Sequence, residues 1–207
     1  GVPDEAVGVV SVARVEGEIV GRGIFESLVD DDADVAWLNV EVLPAFRGRG
    51  IGRALADGIE EITRGEGRTK AICYLGVRDA EGERLPSPTG FGGVPADDVG
   101  VRFLLGRGYR LEQVERASRL ALPVSDLDER LAEAERASGP DYRAVFWFGA
   151  TPPEWREDLA LMGTRMSTDA PSAGLEEPED VWTVERIIAA DERDAASPRT
   201  RCVAAAR

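Results

Sequence analysis

The sequence predicts an α/β (α+β) chain: a mixed, mainly antiparallel central sheet flanked by helices, followed by a C-terminal helical segment. Three observations predict it. Residues 7–42 hold three successive β-branched runs separated by turn residues. At Gly50 the apolar spacing switches from alternation to helical repeat, and beyond Gly149 helix-start signals and helical stripes dominate.

The elements follow in order. "VGVVSVARV" and "EIVGRGIFESLV" are strands joined by Glu16-Gly17 as a hairpin, and the acidic run "DDDAD" from Asp30 to Asp34 reads as a solvated turn. "VAWLNVEV", Val35 to Val42, completes a three-strand meander. Ile51, Leu55, Ile59 and Ile62 then recur at helical spacing on a segment closed by Gly65 and Gly67. "TKAICYLGV" reads as a buried strand, "RDAEGERLPSPTGFGGVP" as a long surface loop, "ADDVGVRFLLGRG" as a short helix closed by Gly106 and Gly108, and "YRLEQVERASRLALPV" as a strand. After Pro123 come a charge-rich helix with Leu127 and Leu131 on one face and an aromatic strand, "DYRAVFWFG". Thr151, Pro152 and Glu154 form a helix-start signature for 152–165, and a further helix is expected over 179–194. The chain ends in a strand-like "RCVAAAR", whose alternation resembles "VVSVARV" near the start.

Composition limits the chemistry. A chain of 207 residues with 43% apolar content buries one good core, or one core and a smaller appendage. A formal charge of −14 repels nucleic acid and anionic membrane surfaces, and no apolar run approaches the ~18 residues of a membrane span. Cys73 and Cys202 lie far apart in apolar runs and read as buried free thiols of a cytoplasmic protein. There is no histidine, which removes Ser-His-Asp and Cys-His catalysis and most zinc sites. Proton transfer is left to carboxylates, tyrosines, a cysteine or water, and no metal site is expected.

Against that acidic background, "VEVLPAFRGRGIGRAL" places three arginines and three glycines at the mouth of a helix. A Walker loop fails, because Gly52 is followed by Arg53-Ala54 where Lys-Ser/Thr is needed. A dinucleotide GxGxxG fails at Arg53 or Leu55. What fits is RxxGxG, with Arg47, Gly50 and Gly52 between a strand and an amphipathic helix. Glycines let backbone N–H groups converge on a phosphate, and a helix N-terminus adds partial positive charge.

On these residues the chain resembles the GNAT superfamily of acyl-CoA-dependent N-acyltransferases, whose pyrophosphate loop has this pattern. "DDVGVRFLLGRGY" also resembles the family helix NxxAxxFYxxxGF at Phe103, Gly108 and Tyr109. It departs at Asp97, at Gly100, and at Leu104, where many members carry the tyrosine that protonates the leaving thiolate. The resemblance implies acetyl-CoA as acyl donor, held by Val40, Val42, Arg47, Gly48, Arg49, Gly50, Ile51, Gly52 and Arg53, with a primary amine as acceptor. Alternation puts Asn39 and Glu41 on one strand face, so Glu41 is the candidate catalytic base; the alternative is a solvent-facing strand glutamate.

The family's opening strand and helices are missing ahead of residue 7, whereas the segment after Gly149 resembles such an opening. The sequence therefore looks like part of a tandem-domain member: residues 1–149 as an acyl-CoA-binding domain, and 150–207 as a helical segment resembling the start of a second unit. That pattern, and the lack of an initial Met, lead us to expect a piece of a longer chain. Two functions follow, an N-acyltransferase or a non-catalytic CoA-binding or structural half of a tandem acetyltransferase. The helices over 152–165 and 179–194 are expected to cover the meander either on their own chain or, the version slightly favoured, on a neighbour in a homodimer by exchange of the C-terminal helices, since the last strand would otherwise leave an unpaired edge.

Overall fold

The computed structural model describes residues 6–28, 34–169, 173–175 and 178–207. The chain divides into two compact units, residues 1–114 with 172–178, and residues 115–171 with 179–207. The division falls at Val114, so the boundary expected at Gly149 lies inside the second unit.

The first unit is built on a four-stranded sheet: β1 (Ala6–Val15), β2 (Glu18–Leu28), β3 (Val35–Val42) and β4 (Lys70–Ile72), in that order. β1–β2 and β2–β3 are antiparallel, and β3–β4 is parallel, the crossover being helix α1 (Ile51–Gly65). The expected hairpin forms at Glu16 and Gly17, whose φ angles of 52° and 90° suit the left-handed pair of a two-residue turn. The acidic turn lies, apart from Asp34, outside the described residues.

Helix α1 packs on the sheet because β2 offers it bare backbone. A Cβ at Gly23 would lie 3.0 Å from Ile59 Cγ2, and one at Gly21 would lie 3.1 Å from Leu55 Cδ1. Phe25, Ala36, Leu38 and Ile59 form the buried core, with Val40, Ile62, Ala71 and Cys73 packed against it. Thr63, on the same buried face, satisfies its hydroxyl by donating to the Ile59 carbonyl at 2.8 Å.

Several expected strands are shorter or absent. Of "TKAICYLGV" only Lys70–Ile72 pairs, in register with Val35–Trp37; beyond Ile72 there is no ladder. The "RDAEGERLPSPTGFGGVP" loop contains a small antiparallel pair, β5 (Arg84–Pro86) and β6 (Gly93–Pro95). Helix α2 (Val99–Leu105) starts where Asp98 Oδ1 accepts from the Gly100 and Val101 amides. The strand expected over Tyr109–Val124 does not form. Its alternation buries no face, residues 115–123 being exposed, so nothing rewards extension into a sheet.

The second unit holds α3 (Leu127–Ser138), β7 (Ala144–Phe148), α4 (Arg156–Asp169), α5 (Val184–Ala196) and β8 (Cys202–Ala206). α3 buries nothing; Leu127 and Leu131 are exposed. The helix-start signature at Thr151 is not used as expected, for a 3-10 turn at Pro153–Trp155 precedes α4. Thr151 is instead buried, its amide and hydroxyl donating to the carboxylate of Asp191 at 2.7 and 3.1 Å, and Arg201 donates to both residues. That buried carboxylate outcompetes the capping role. α5 starts at Val184 behind Thr183, whose hydroxyl accepts from the Arg186 amide, so Val181 falls outside the helix. β8 pairs antiparallel with β7, giving the last strand a partner within its own unit. The unpaired edge from which strand exchange was argued is therefore occupied on one side. Among the described residues no helix is long and apolar enough to cross a membrane.

Candidate functional site

The loop between β3 and α1 is held from inside. Pro44–Phe46 form a 3-10 turn, Arg47 Nε donates back to the Val42 carbonyl at 2.9 Å, and an Arg49 Nη donates to the Ala45 carbonyl at 3.2 Å. The Arg49 guanidinium also lies 5.2 Å from the centroid of the Phe46 ring. Two of the three loop arginines thus brace the loop as well as charging it.

What the bracing presents is backbone. Gly48 and Gly50 have φ of 75° and 82°, and a Cβ at either would meet no atom within 4 Å. Gly50 caps α1 in the left-handed conformation without any side-chain acceptor, and its carbonyl accepts from the Ala54 amide at 3.0 Å. The amides of Ile51, Gly52 and Arg53 belong to the first helical turn, which offers them no intrahelical acceptor, and that turn carries no acidic residue. Gly52 lets the turn close on the sheet, a Cβ there lying 3.6 Å from Val42 Cγ2 and 4.0 Å from the Phe103 ring.

Below this loop the sheet opens. β3 pairs with β4 only as far as Trp37 and Ile72; past that point the two chains diverge around a cavity of about 80 Å³. Leu38, Asn39 and Val40 line one side, Cys73, Tyr74 and Leu75 the other, and α1 and α2 contribute Ile59, Glu60, Phe103 and Leu104. Asn39 Oδ1 is buried with no hydrogen-bond partner.

A polar cluster joins α1 to the chain after α2 at this cavity. Arg107 donates to both carboxylate oxygens of Glu60 at 2.9 and 2.7 Å and to Asp57 at 2.7 Å, and the Tyr109 hydroxyl donates to Glu60 at 3.4 Å. The Glu60 carboxylate, with Asp57, raises the Arg107 pKa further above its ordinary value. Burial, then the neighbouring Cys73 and Glu60, raises that of Tyr109. Burial pushes the Cys73 thiol up to about 11, reinforced by Glu60 and offset in part by Tyr109. The thiol and the phenol at the cavity therefore both keep their protons well above neutral pH.

The Cys73 shift predicts two results. Cys202 is exposed, not buried as its apolar run suggests, because alternate residues of β8 face outward, so a maleimide at pH 8 should label it and leave Cys73 unreacted in the folded protein; equal rates for the two thiols would contradict the burial of Cys73. The folded chain also keeps the Cys73 proton longer than the unfolded chain, so stability from this group is complete below pH 9.0 and is lost as pH rises toward about 11.

The sequence-predicted residues divide accordingly. Val40 lines the cavity, Val42 anchors Arg47 and packs near Gly52, and residues 47–53 form the open loop. Glu41 does not line the cavity; it stands opposite Arg22 on β2, whose Nε donates to Glu41 Oε2 at 2.7 Å, and both side chains are more than half exposed. Sequence reasoning missed the Glu60–Arg107–Tyr109 cluster, in which Glu60 lies 47 and 49 residues from its two partners and forms no local pattern with them.

Residues 3–84 match the model of the "Acetyltransferase (GNAT) family". No curated protein matches the chain. Among solved structures, a tandem GNAT protein from the clavulanic acid biosynthesis pathway, without AcCoA, is similar over 99% of this chain and 55% of its own, with TM-score 0.60 and 22% identity. The chain thus spans about half the length of that protein, and the likeness is one of fold. A putative acetyl transferase from Pyrococcus furiosus, 24% identical, matches over 57% of this chain and 66% of its own with TM-score 0.36.

Proposed function

We propose that this chain, which over residues 3–84 matches the GNAT acetyltransferase family model and in fold resembles part of a tandem-domain member, takes an acyl group from acetyl-CoA or another acyl-CoA to a primary amine in the cytoplasm. One observation carries the reading: a loop of open backbone amides follows the strand whose Leu38–Val40 line a cavity, where that strand's ladder with β4 has stopped. The amides of 51–53 would take the pyrophosphate, with Arg53 free to add charge on the exposed side. Unladdered backbone at Leu38–Val40 offers an extended thioester arm the hydrogen bonds that β4 no longer supplies.

In the reaction, the amine nitrogen forms a bond to the thioester carbon, the C–S bond breaks, and its electron pair leaves with sulfur. Glu41, directly or through water, takes the ammonium proton, and water relays that proton to the thiolate, so that the carboxylate and the water end as they began. Leu104 lines the cavity and has no proton to give.

A second reading has its own support. With Glu41 paired to Arg22 outside the cavity and Leu104 inside it, the chain suits a CoA-binding half whose chemistry lies elsewhere. Calorimetric titration with acetyl-CoA, then thiol release measured over a panel of amines, separates the two. Binding with turnover supports the transferase, binding without turnover the second reading, and no binding removes both. Leu104→Tyr should raise thiol release in an otherwise competent site, whereas Leu104→Ala should cost about 2 kcal/mol of stability at this half-buried position and little turnover per folded molecule. A large loss of turnover in Leu104→Ala at unchanged Tm would contradict that assignment.

A further inference from the structure

We infer that the contact of Leu75 with Gly100 sets the width of the cavity, and that Leu75 is the wall that selects what passes between the parted strands. The inference rests on the donor reading above. Three features lead to it.

Residues 73–75 have no ladder to hold them, so their distance from β3 is fixed by what they lean on. They lean on α2. A Cβ at Gly100 would lie 2.8 and 2.9 Å from the two δ-carbons of Leu75, closer than side chains approach one another, so the Leu75 methyls rest on the bare backbone of the helix.

The helix cannot yield, since the Gly100 amide is pinned at 2.8 Å by the capping Asp98 carboxylate and buried Val101 follows it. Leu75 can. Its side chain is partly exposed, and it faces the same cavity that Leu38, Val40 and Phe103 line from the other walls. A methyl added at Gly100 therefore displaces Leu75, which is 41% exposed on one side and lines the cavity on the other, and displacement toward the cavity narrows the passage for an extended acyl-thioester arm. Glycine inside a helix is otherwise a poor choice, and the width it secures is a reason for its presence.

The test uses the full chain with acetyl-CoA as probe. Gly100→Ala should weaken binding about tenfold while leaving Tm unchanged or higher, because alanine is the better helix former. A purely structural role would instead lower Tm. Adding Leu75→Ala to Gly100→Ala should restore affinity to within about twofold of the parent, the two sites acting through one contact. Parent-like binding by Gly100→Ala, or no recovery in the double variant, overturns the inference.

Methyl NMR reads the contact without any ligand. The parent should show cross-relaxation between the Leu75 methyls and the Gly100 α-protons, and Gly100→Ala should transfer it to methyls of Leu38 or Val40. If acetyl-CoA binds no form of the chain, the donor reading fails on its own account, and the NMR result still decides whether Leu75 is the wall. Absence of the parent cross-relaxation overturns it.

Discussion

Gly50→Glu should reduce acetyl-CoA binding by at least about 100-fold. A carboxylate at the head of α1 would face the pyrophosphate at short range, and two unit charges ~4 Å apart at a protein surface repel by up to ~4 kcal/mol, well above the ~2.8 kcal/mol that two decades require. Repulsion must be distinguished from strain. Gly50 has a φ of 82°, so any side chain there carries a backbone cost of about 1–2 kcal/mol. Gly50→Ala isolates that cost, because its Cβ would meet nothing within 4 Å. The alanine variant should lose stability and keep most of its affinity; the glutamate variant should lose both. If Gly50→Glu bound as tightly as the parent, the loop would not be the pyrophosphate site. If Gly50→Ala bound as poorly as Gly50→Glu, loop conformation rather than charge would be what the ligand reads.

The two sides of the site were unequally legible in the sequence, for a physical reason. The loop is local: Arg47, Gly48, Gly50 and Gly52 lie close together in the chain, and the left-handed φ angles of Gly48 and Gly50 leave glycine as their signature, so its shape was legible in the spacing while its role toward a phosphate is the proposal above. The meander and α1 were equally local, each carrying its own periodicity. The cavity is not local. It exists because a parallel ladder stops at Ile72, and nothing within "TKAICYLGV" marks that stop, since a strand that loses its neighbour keeps the same apolar residues. Thr151 shows the opposite failure. Its capping signature is strong, yet a buried carboxylate 40 residues away claims both its donors. Glu41 was placed on its strand face correctly, but its pairing with Arg22 depends on the register of β2 against β3, which alternation leaves open.

Arg107 should be the largest stability determinant among the polar residues of the cavity. Its side chain is 16% exposed and reaches Glu60, 20% exposed, through two hydrogen bonds, with Asp57 as a third acceptor at a more open position. Removing it by Arg107→Ala leaves the Glu60 carboxylate beside the Tyr109 hydroxyl and the Cys73 thiol, with only the exposed Arg64 guanidinium, at 3.7 Å, as a remaining cationic partner among the described residues. Exposed pairs contribute about 1 kcal/mol or less and breaking buried ones costs ~3–5, so this half-buried fork should lie between, at about 2–3 kcal/mol. The guanidinium also stacks 5.7 Å from the Phe103 ring, so part of the loss is packing. Arg107→Met retains most of that packing, and combined with Glu60→Gln it removes both charges. The double variant should therefore recover at least half of the loss, because an apolar and a neutral partner need no compensation. Urea unfolding of the parent, the two single variants and the double variant measures the coupling directly. Additive losses, with no recovery in the double variant, would mean that the fork is a surface pair and that α1 and α2 are held by packing alone. Acetyl-CoA affinity should fall with the same coupling, since Arg107 is what fixes Phe103 and Leu104, on α2, over Ile59 and Glu60 on α1 across the cavity.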